Sequence, residues 1–339
     1  MGESSVRVCV LGGAGYVGSS LVKKLIEEGY TVHATLRNLS DESKVGLLKS
    51  FAVGAEERLK LFEADLSVSK AEKVEEAIRG CEFVFLVASP LPHGERLSVD
   101  AIVEAGKKIS NACIRCGGVR RLIFTSSISA ASPLEEDGGN GYKGVLDETC
   151  WTPLPLSVSH PSDPSAMDYI VSKTLAEKGV LETNDDGLLE VVSLGLGVVG
   201  GDTCLWYCPL STSLLFSQLT GDKVTREALI FIEDLMGKIP IVHIEDVCDA
   251  YIFAIKAANM SGRFLLANSY LSIAEIAAYL RHNYPEFHVN QHQDYMVNDP
   301  KRQILLNYEK LLHKGFTYKK SLKDAIHDSI TCGKRFGHL

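Results

Sequence analysis

No stretch of this 339-residue chain is apolar for long enough to cross a bilayer. The longest, near residues 191–199, has about half of the ~20 residues that a membrane helix needs, so no membrane insertion is expected. A dense basic tract is missing too. Lys and Arg total 35 against 43 Asp and Glu, a formal charge of −8, and that balance speaks against a nucleic-acid partner. Nor is there a disulfide framework or a metal-ligand pattern. The nine cysteines are scattered through apolar segments, an odd number that suits reduced thiols in a cytoplasmic protein. Cys113 and Cys116 have Cys-x-x-Cys spacing. No second Cys/His pair stands near them, which leaves packing as their role, and no metal is expected. Cys204 and Cys208 read the same way. Met1-Gly2 is followed by Glu3-Ser4-Ser5-Val6, which lacks the Ser or Thr that myristoylation requires at position six, and no signal-peptide core precedes the first strand. No internal repeat or low-complexity run is visible.

What the chain does have is 45% hydrophobic residues, arranged in alternating strand and helix patterns. That is enough for a large core and more than a single nucleotide-binding domain requires. Strands are expected at 6–11, 31–36, 59–64, 82–88, 119–126 and 189–195, with helices near 16–28, 41–51, 69–78, 98–116 and 168–183. This order implies an α/β fold, a doubly wound parallel sheet of the Rossmann type with both faces covered. Residues 132–165 and 202–240 break the rhythm and are expected to overhang the carboxyl ends of the strands, where ligands bind in such sheets. Capped amphipathic helices within 270–280 and 316–330 point to a smaller lobe. The expected division is a dinucleotide-binding domain of 1–201 and 241–267 and a substrate lobe of 202–240 and 268–339.

Directly after the first strand comes Gly12-Gly-Ala-Gly15-Tyr16-Val17-Gly18. Gly12 lets the chain turn off the strand, Gly15 lets backbone N–H groups approach a pyrophosphate, and Gly18 lets the new helix pack closely on the sheet. Such a motif gains meaning from its context, and here a strand precedes it, a helix follows, and a second strand lies at the right distance. That second strand ends in Thr35-Leu36-Arg37, without the carboxylate that an NAD site uses for the ribose hydroxyls. A guanidinium there suits the 2′-phosphate of NADP instead. Lys44, just inside a helix that Asp41 is placed to cap, is a candidate second cation.

Tyr169 and Lys173 are four residues apart on an expected helix and so share a face. A phenol, which titrates near ~10, moves protons at neutral pH when its anion is stabilised, and an adjacent ammonium does this. The fifth strand ends in Leu122-Ile-Phe-Thr-Ser-Ser127, where a hydroxyl can orient a substrate carbonyl. Strand alternation turns Ser126 and Ser127 to opposite faces, and Ser127 is the candidate. His243 and His93 read as structural hydrogen-bonders rather than acid–base groups.

These residues, together with Ala64-Asp65-Leu66, Val87-Ala-Ser-Pro90, Thr174-Leu-Ala-Glu177, Val242-His-Ile-Glu-Asp246-Val and Tyr284-Pro-Glu286, resemble the extended short-chain dehydrogenases/reductases. More narrowly, the chain is similar to the plant dihydroflavonol, anthocyanidin, vestitone and cinnamoyl-CoA reductase group. The resemblance implies that Ser127, Tyr169 and Lys173 are catalytic and that Arg37 and Lys44 hold a 2′-phosphate. It also implies that Gly12, Gly15, Tyr16, Val17, Gly18, Asp65, Leu66, Val87, Ala88, Ser89 and Val198 contact the NADP(H) cofactor along with Tyr169 and Lys173. Pro90, His93, Ser132 and Trp206 are candidates for the pocket of a small-molecule substrate. The implied reaction is transfer of hydride from NADPH to a carbonyl or related carbon of a plant specialised metabolite, with Tyr169 supplying the proton.

The chain departs from that group in places. Leu11 stands where Thr is common, which removes a side-chain hydrogen bond from the loop. Gly195 and Gly201 stand where prolines are usual, which implies a looser backbone. Ser132 replaces an asparagine, and the 90–97 loop is short. Two other function classes stay open: an NAD-retaining epimerase or dehydratase of a nucleotide sugar, and a non-catalytic NADP sensor. The oligomeric state is open between monomer and dimer.

Overall fold

A computed structural model of the chain describes residues 6–66, 71–88, 99–135, 141–156, 158, 164–184, 187–290 and 303–339. The chain opens as β1 (Arg7–Leu11), α1 (Tyr16–Glu27), β2 (Thr31–Leu36), α2 (Glu42–Ser50), β3 (Leu59–Glu63), α3 (Ala71–Ile78), β4 (Phe83–Leu86), α4 (Val99–Cys116) and β5 (Arg121–Ser127). It continues through β6 (Val145–Leu146), α5 (Pro164–Glu182), β7 (Glu190–Leu196), β8 (Val198–Gly200), α6 (Leu210–Leu214), α7 (Ser217–Thr220), α8 (Lys223–Met236) and β9 (Ile239–His243). The remainder is α9 (Ile244–Lys256), β10 (Gly262–Leu266), β11 (Ser269–Leu271), α10 (Ile273–Asn283), β12 (Leu305–Leu306), α11 (Glu309–His313) and α12 (Leu322–Arg335).

A seven-stranded sheet has the order β10-β7-β5-β4-β1-β2-β3, and the β1–β2, β2–β3, β1–β4 and β4–β5 pairs are parallel. The chain therefore builds outward through β2 and β3, then crosses back to start β4 on the other side of β1. That reversal opens a crevice at the carboxyl ends of β1 and β4. The central strands β1 and β4 are largely apolar because both faces are covered: Val8, Val10, Leu11, Val84 and Phe85 are fully buried. Helix α1 packs through Leu21, Val22, Leu25 and Ile26, the spacing of one helical face.

Two compact units emerge, one of 1–126, 175–194 and 248–263, the other of 127–174, 195–247 and 264–339. The lobe drawn from the sequence falls whole within the second unit, which also takes in 127–174, 195–201, 241–247 and 264–267. Packing explains the added segments. Ile128, Ala131, Leu134 and Ile170 share a buried cluster with Phe231, Leu235 and Met236 of α8. A second cluster joins Leu214, Leu229, Ile241, Ile276, Ile326 and Ile330. The second unit also contains a three-stranded sheet, β11-β9-β8, and the parallel β12–β6 pair. Helices α10 and α12 each start in a capping box, Ser272 with Glu275 and Ser321 with Asp324.

The expected looseness around Gly201 is not found. Its φ of +111° is one that proline cannot adopt. Its N–H donates to Ser329 Oγ at 2.9 Å, and an added Cβ would lie 2.7 Å from Ile244 Cγ2. Glycine holds this turn tightly. Among the described residues no helix is long and apolar enough to cross a membrane, and no group of His, Cys, Asp or Glu is arranged to hold a metal ion.

Candidate active site

The turn after β1 is as tight as its glycines demand. Gly12 has φ +96°, and a Cβ there would lie 2.4 Å from Ala88 Cβ. A Cβ on Gly18 would lie 2.1 Å from the Gly12 carbonyl oxygen. Gly15 differs: its φ is −83°, and a Cβ would find only the Gly12 oxygen at 4.0 Å. The space beside Gly15 is open, and no side chain caps α1 there. Helix N-termini present unbonded N–H groups and a partial positive charge, so this cradle fits a pyrophosphate.

Thr35, which sequence reasoning passed over, anchors the loop. Gly12 N–H donates to Thr35 Oγ1 at 2.9 Å, and Gly13 N–H to the Thr35 carbonyl at 3.0 Å. This hydroxyl restores the side-chain hydrogen bond that Leu11 cannot make. Leu11 is instead fully buried, and its carbonyl accepts from both Val87 and Ala88 N–H at 3.0 Å. Val87 and Ala88 thus stand at the switch point beside the glycine turn. The only sequence signal for Thr35 was a hydroxyl in an otherwise apolar strand end.

Arg37 follows β2 immediately and is exposed. Lys44 Nζ pairs with Asp41 at 2.8 Å, while Asp41 also caps α2 through the Lys44 N–H. These bonds, the Lys44 ammonium first, hold the Asp41 carboxyl down at about 2. Asp65 and Leu66 are half-buried just beyond β3. Ser89, Pro90 and His93 lie outside the described residues.

In the second unit, Pro164 opens α5 at the position where a missing N–H costs nothing. Ile170 and Thr174 face inward, 3% and 0% exposed, and orient the helix. Tyr169 is 50% exposed, whereas Lys173 is 8% exposed with its Nζ 5.8 Å from the Tyr169 ring centroid. Ser127, at the end of β5, is half-buried. Its Oγ accepts from Ser129 Oγ at 2.7 Å and from Ser129 N–H at 3.2 Å. With two donors on its oxygen, Ser127 keeps its proton for another acceptor. Ser126, on the opposite face, is buried and makes no hydrogen bond through its hydroxyl. Ser129 was also missed; its only signal was a second serine two residues on.

Ser132 is fully buried, and its hydroxyl donates to the Leu235 carbonyl at 2.5 Å. That bond commits its proton to holding the chain rather than a ligand. Trp206 and Tyr207 are about half exposed and meet edge to face at 5.9 Å. Val198 is buried in β8, and His243 is buried with Nε2 3.1 Å from Asp328. Cys113 is fully buried, which pushes its thiol up.

A phosphate cradle at a sheet's switch point and a tyrosine beside a buried lysine put the molecule among nucleotide-binding α/β oxidoreductases. Residues 8–266 match the NAD dependent epimerase/dehydratase family. The chain belongs to that family, in its extended short-chain dehydrogenase/reductase branch. It is 32% identical to the anthocyanidin reductase ((2S)-flavan-3-ol-forming) of Vitis vinifera, over 98% of this chain and 96% of that one. It is 33% identical to the vestitone reductase of Medicago sativa over the full length of both. The crystal structure of vestitone reductase from alfalfa (Medicago sativa) superimposes with a TM-score of 0.79, covering 98% of this chain and 99% of the other at 32% identity.

Proposed function

We propose that the protein is an NADPH-dependent reductase that acts on a carbonyl or related electrophilic carbon of a plant specialised metabolite, a flavonoid, another phenolic or an alkaloid-like compound. The observation that carries this reading is the Tyr169–Lys173 pair, an exposed phenol beside a buried ammonium. The glycine cradle fits a dinucleotide pyrophosphate. Arg37, in place of an acid after β2, favours a 2′-phosphate over free ribose hydroxyls and speaks against the NAD-retaining class. The relatives are named for anthocyanidin and vestitone, which supports a phenolic substrate here.

Bound NADPH supplies a hydride. The chain's own residues do the rest. Gly15 and the start of α1 hold the pyrophosphate, and Arg37 takes the 2′-phosphate, with Lys44 joining when it parts from Asp41. Asp65, Leu66, Val87 and Ala88 line the adenosine side. Ser127 donates its free proton to the substrate oxygen and orients it, while Ser129 keeps the Ser127 oxygen occupied. Tyr169 delivers a proton to that oxygen as negative charge grows there, and the Lys173 ammonium stabilises the phenolate left behind. Residues 202–240 and 268–339, with Trp206, shape the substrate side. The free thiols fit a reducing compartment such as the cytosol.

The test is NADPH and NADH consumption against a panel of planar ketones, flavonoids, aromatic aldehydes and cyclic iminium compounds. NADPH-specific turnover is expected, with a loss of at least ~100-fold in Tyr169→Phe while NADPH still binds. Ser129→Ala should lower kcat about fivefold, the worth of one hydrogen bond, with KM unchanged. Undiminished turnover in Tyr169→Phe would refute the proton-donor role.

A further inference from the structure

Outside the catalytic residues, the second unit brings two cysteines together from positions 124 residues apart. Cys332 lies on α12 and is fully buried; Cys208 lies in the segment between β8 and α6 and is half-buried. Their sulfur atoms are 3.7 Å apart, with Cys332 donating to Cys208. The two backbones are held in place independently of the thiols. Gly201 N–H donates to Ser329 Oγ on α12. Arg335, at the end of the same helix, binds Asp202 Oδ2 through Nη1 at 2.9 Å and the Thr203 carbonyl through Nη2 at 2.7 Å.

We propose that Cys208 and Cys332 are a redox modification site, which a peroxide-class two-electron oxidant converts to a disulfide that ties the Trp206–Tyr207 segment to α12. The roles divide by exposure. The Cys208 thiolate attacks a peroxide oxygen, the O–O bond breaks, and Cys208 becomes a sulfenic acid as water leaves. The Cys332 sulfur, having lost its proton, then attacks the Cys208 sulfur and expels hydroxide, which that proton turns into a second water. Two thiols lose two electrons and two protons, and one hydrogen peroxide is reduced to two waters.

Electrostatics supports this order. The hydrogen bond from Cys332, with help from the Arg335 guanidinium, draws the Cys208 thiol below its ordinary range. The Cys332 thiol is pushed up by the same bond and by burial. A disulfide needs its sulfurs at about 2.0 Å, so forming it requires side-chain rotation that brings the pair in from 3.7 Å. Cys204, also half-buried and four residues upstream, is the natural competitor and serves as the internal control.

The experiment treats the full-length protein with hydrogen peroxide and maps it by non-reducing proteolysis and mass spectrometry. The expected product is a peptide pair joined through Cys208 and Cys332, lighter by about 2 Da than the two thiol peptides and separated by dithiothreitol. In Cys332→Ser, Cys208 should instead accumulate as a dimedone-trappable sulfenic acid. In Cys208→Ser, Cys332 should stay reduced. Amide exchange across 203–209 should slow in the oxidised wild type alone. A cross-link that joins Cys204 to either residue, oxidation of other cysteines ahead of this pair, or unchanged exchange in the linked protein would overturn the proposal. Neither cysteine belongs to the proposed catalytic machinery, so these readouts stand whether or not the reductase reading survives.

Discussion

Gly12, Gly15 and Gly18 of the first turn make a prediction that separates folding from binding. Replacing Gly12 by Ala sets a side chain at φ +96° with its Cβ 2.4 Å from Ala88 Cβ and 2.8 Å from the Ala88 nitrogen. The left-handed backbone costs roughly 1–2 kcal/mol and the overpacking about 1–3 more, so Gly12→Ala should lose ~2–5 kcal/mol. Gly18→Ala pushes a methyl to 2.1 Å from a carbonyl oxygen, and because that neighbour is backbone, a loss of at least ~1–3 kcal/mol is expected. Gly15→Ala meets no such obstacle. Its backbone is already in a region open to any residue, its Cβ would have 4.0 Å of clearance, and the stability change should stay within about 1 kcal/mol. Yet the methyl would stand where the pyrophosphate must come close to α1. Losing one charge-assisted hydrogen bond there is worth about 1.5–3 kcal/mol, a roughly 10- to 100-fold weaker NADPH affinity. Urea unfolding gives the first quantity and titration of NADPH fluorescence the second. If Gly15→Ala binds NADPH like the wild type, or unfolds as easily as Gly12→Ala, the cradle has been assigned to the wrong backbone.

Two further changes probe other parts of the chain. Arg37→Ala should weaken NADPH about 10- to 100-fold while leaving NADH within about threefold, because a single charge-assisted contact to the 2′-phosphate is removed; equal losses for both cofactors in a binding titration would sink the assignment. Glu177 is fully buried and takes three hydrogen bonds, from Ser193 Oγ at 2.6 Å and from Arg263 Nε and Nη2 at 3.0 and 3.1 Å. Glu177→Ala removes the buried carboxylate that Arg263 binds through two nitrogens and should cost roughly 3–5 kcal/mol in a denaturant melt, while a loss under ~1 kcal/mol would mean that the other contacts of Arg263 suffice to hold it.

The first unit was legible because its elements are long and strongly periodic. Strands β1 and β2 and helix α1 end within one residue of where alternation and helical spacing put them, and helix α4 does too. The second unit resisted for a physical reason. Strand β8 is three residues long, β11 is three and β12 two, too short for a period to register, and around β8 Gly195, Gly197, Gly200 and Gly201 also interrupt the apolar run. The same limit applies to the site. Tyr169 and Lys173 are neighbours through one helix, so their spacing alone reveals the pair. Thr35 meets Gly12 across 23 residues, and Cys208 meets Cys332 across 124; neither contact follows any local periodicity.

Ser132 and Ser129 carry the point further, since both are serines in one short stretch after β5. The hydroxyl of Ser132 donates to the Leu235 carbonyl and is spent on packing α8, while that of Ser129 is aimed at Ser127. Residue type and spacing cannot tell these two apart. What separates them is the acceptor each hydroxyl finds, and in this chain that acceptor is supplied by the tertiary fold. It follows that substrate preference should be sought less in the serines themselves than in what α8 and the Trp206 segment place around them. Exchanges in 202–240 should therefore alter which substrate is reduced while leaving NADPH affinity unchanged.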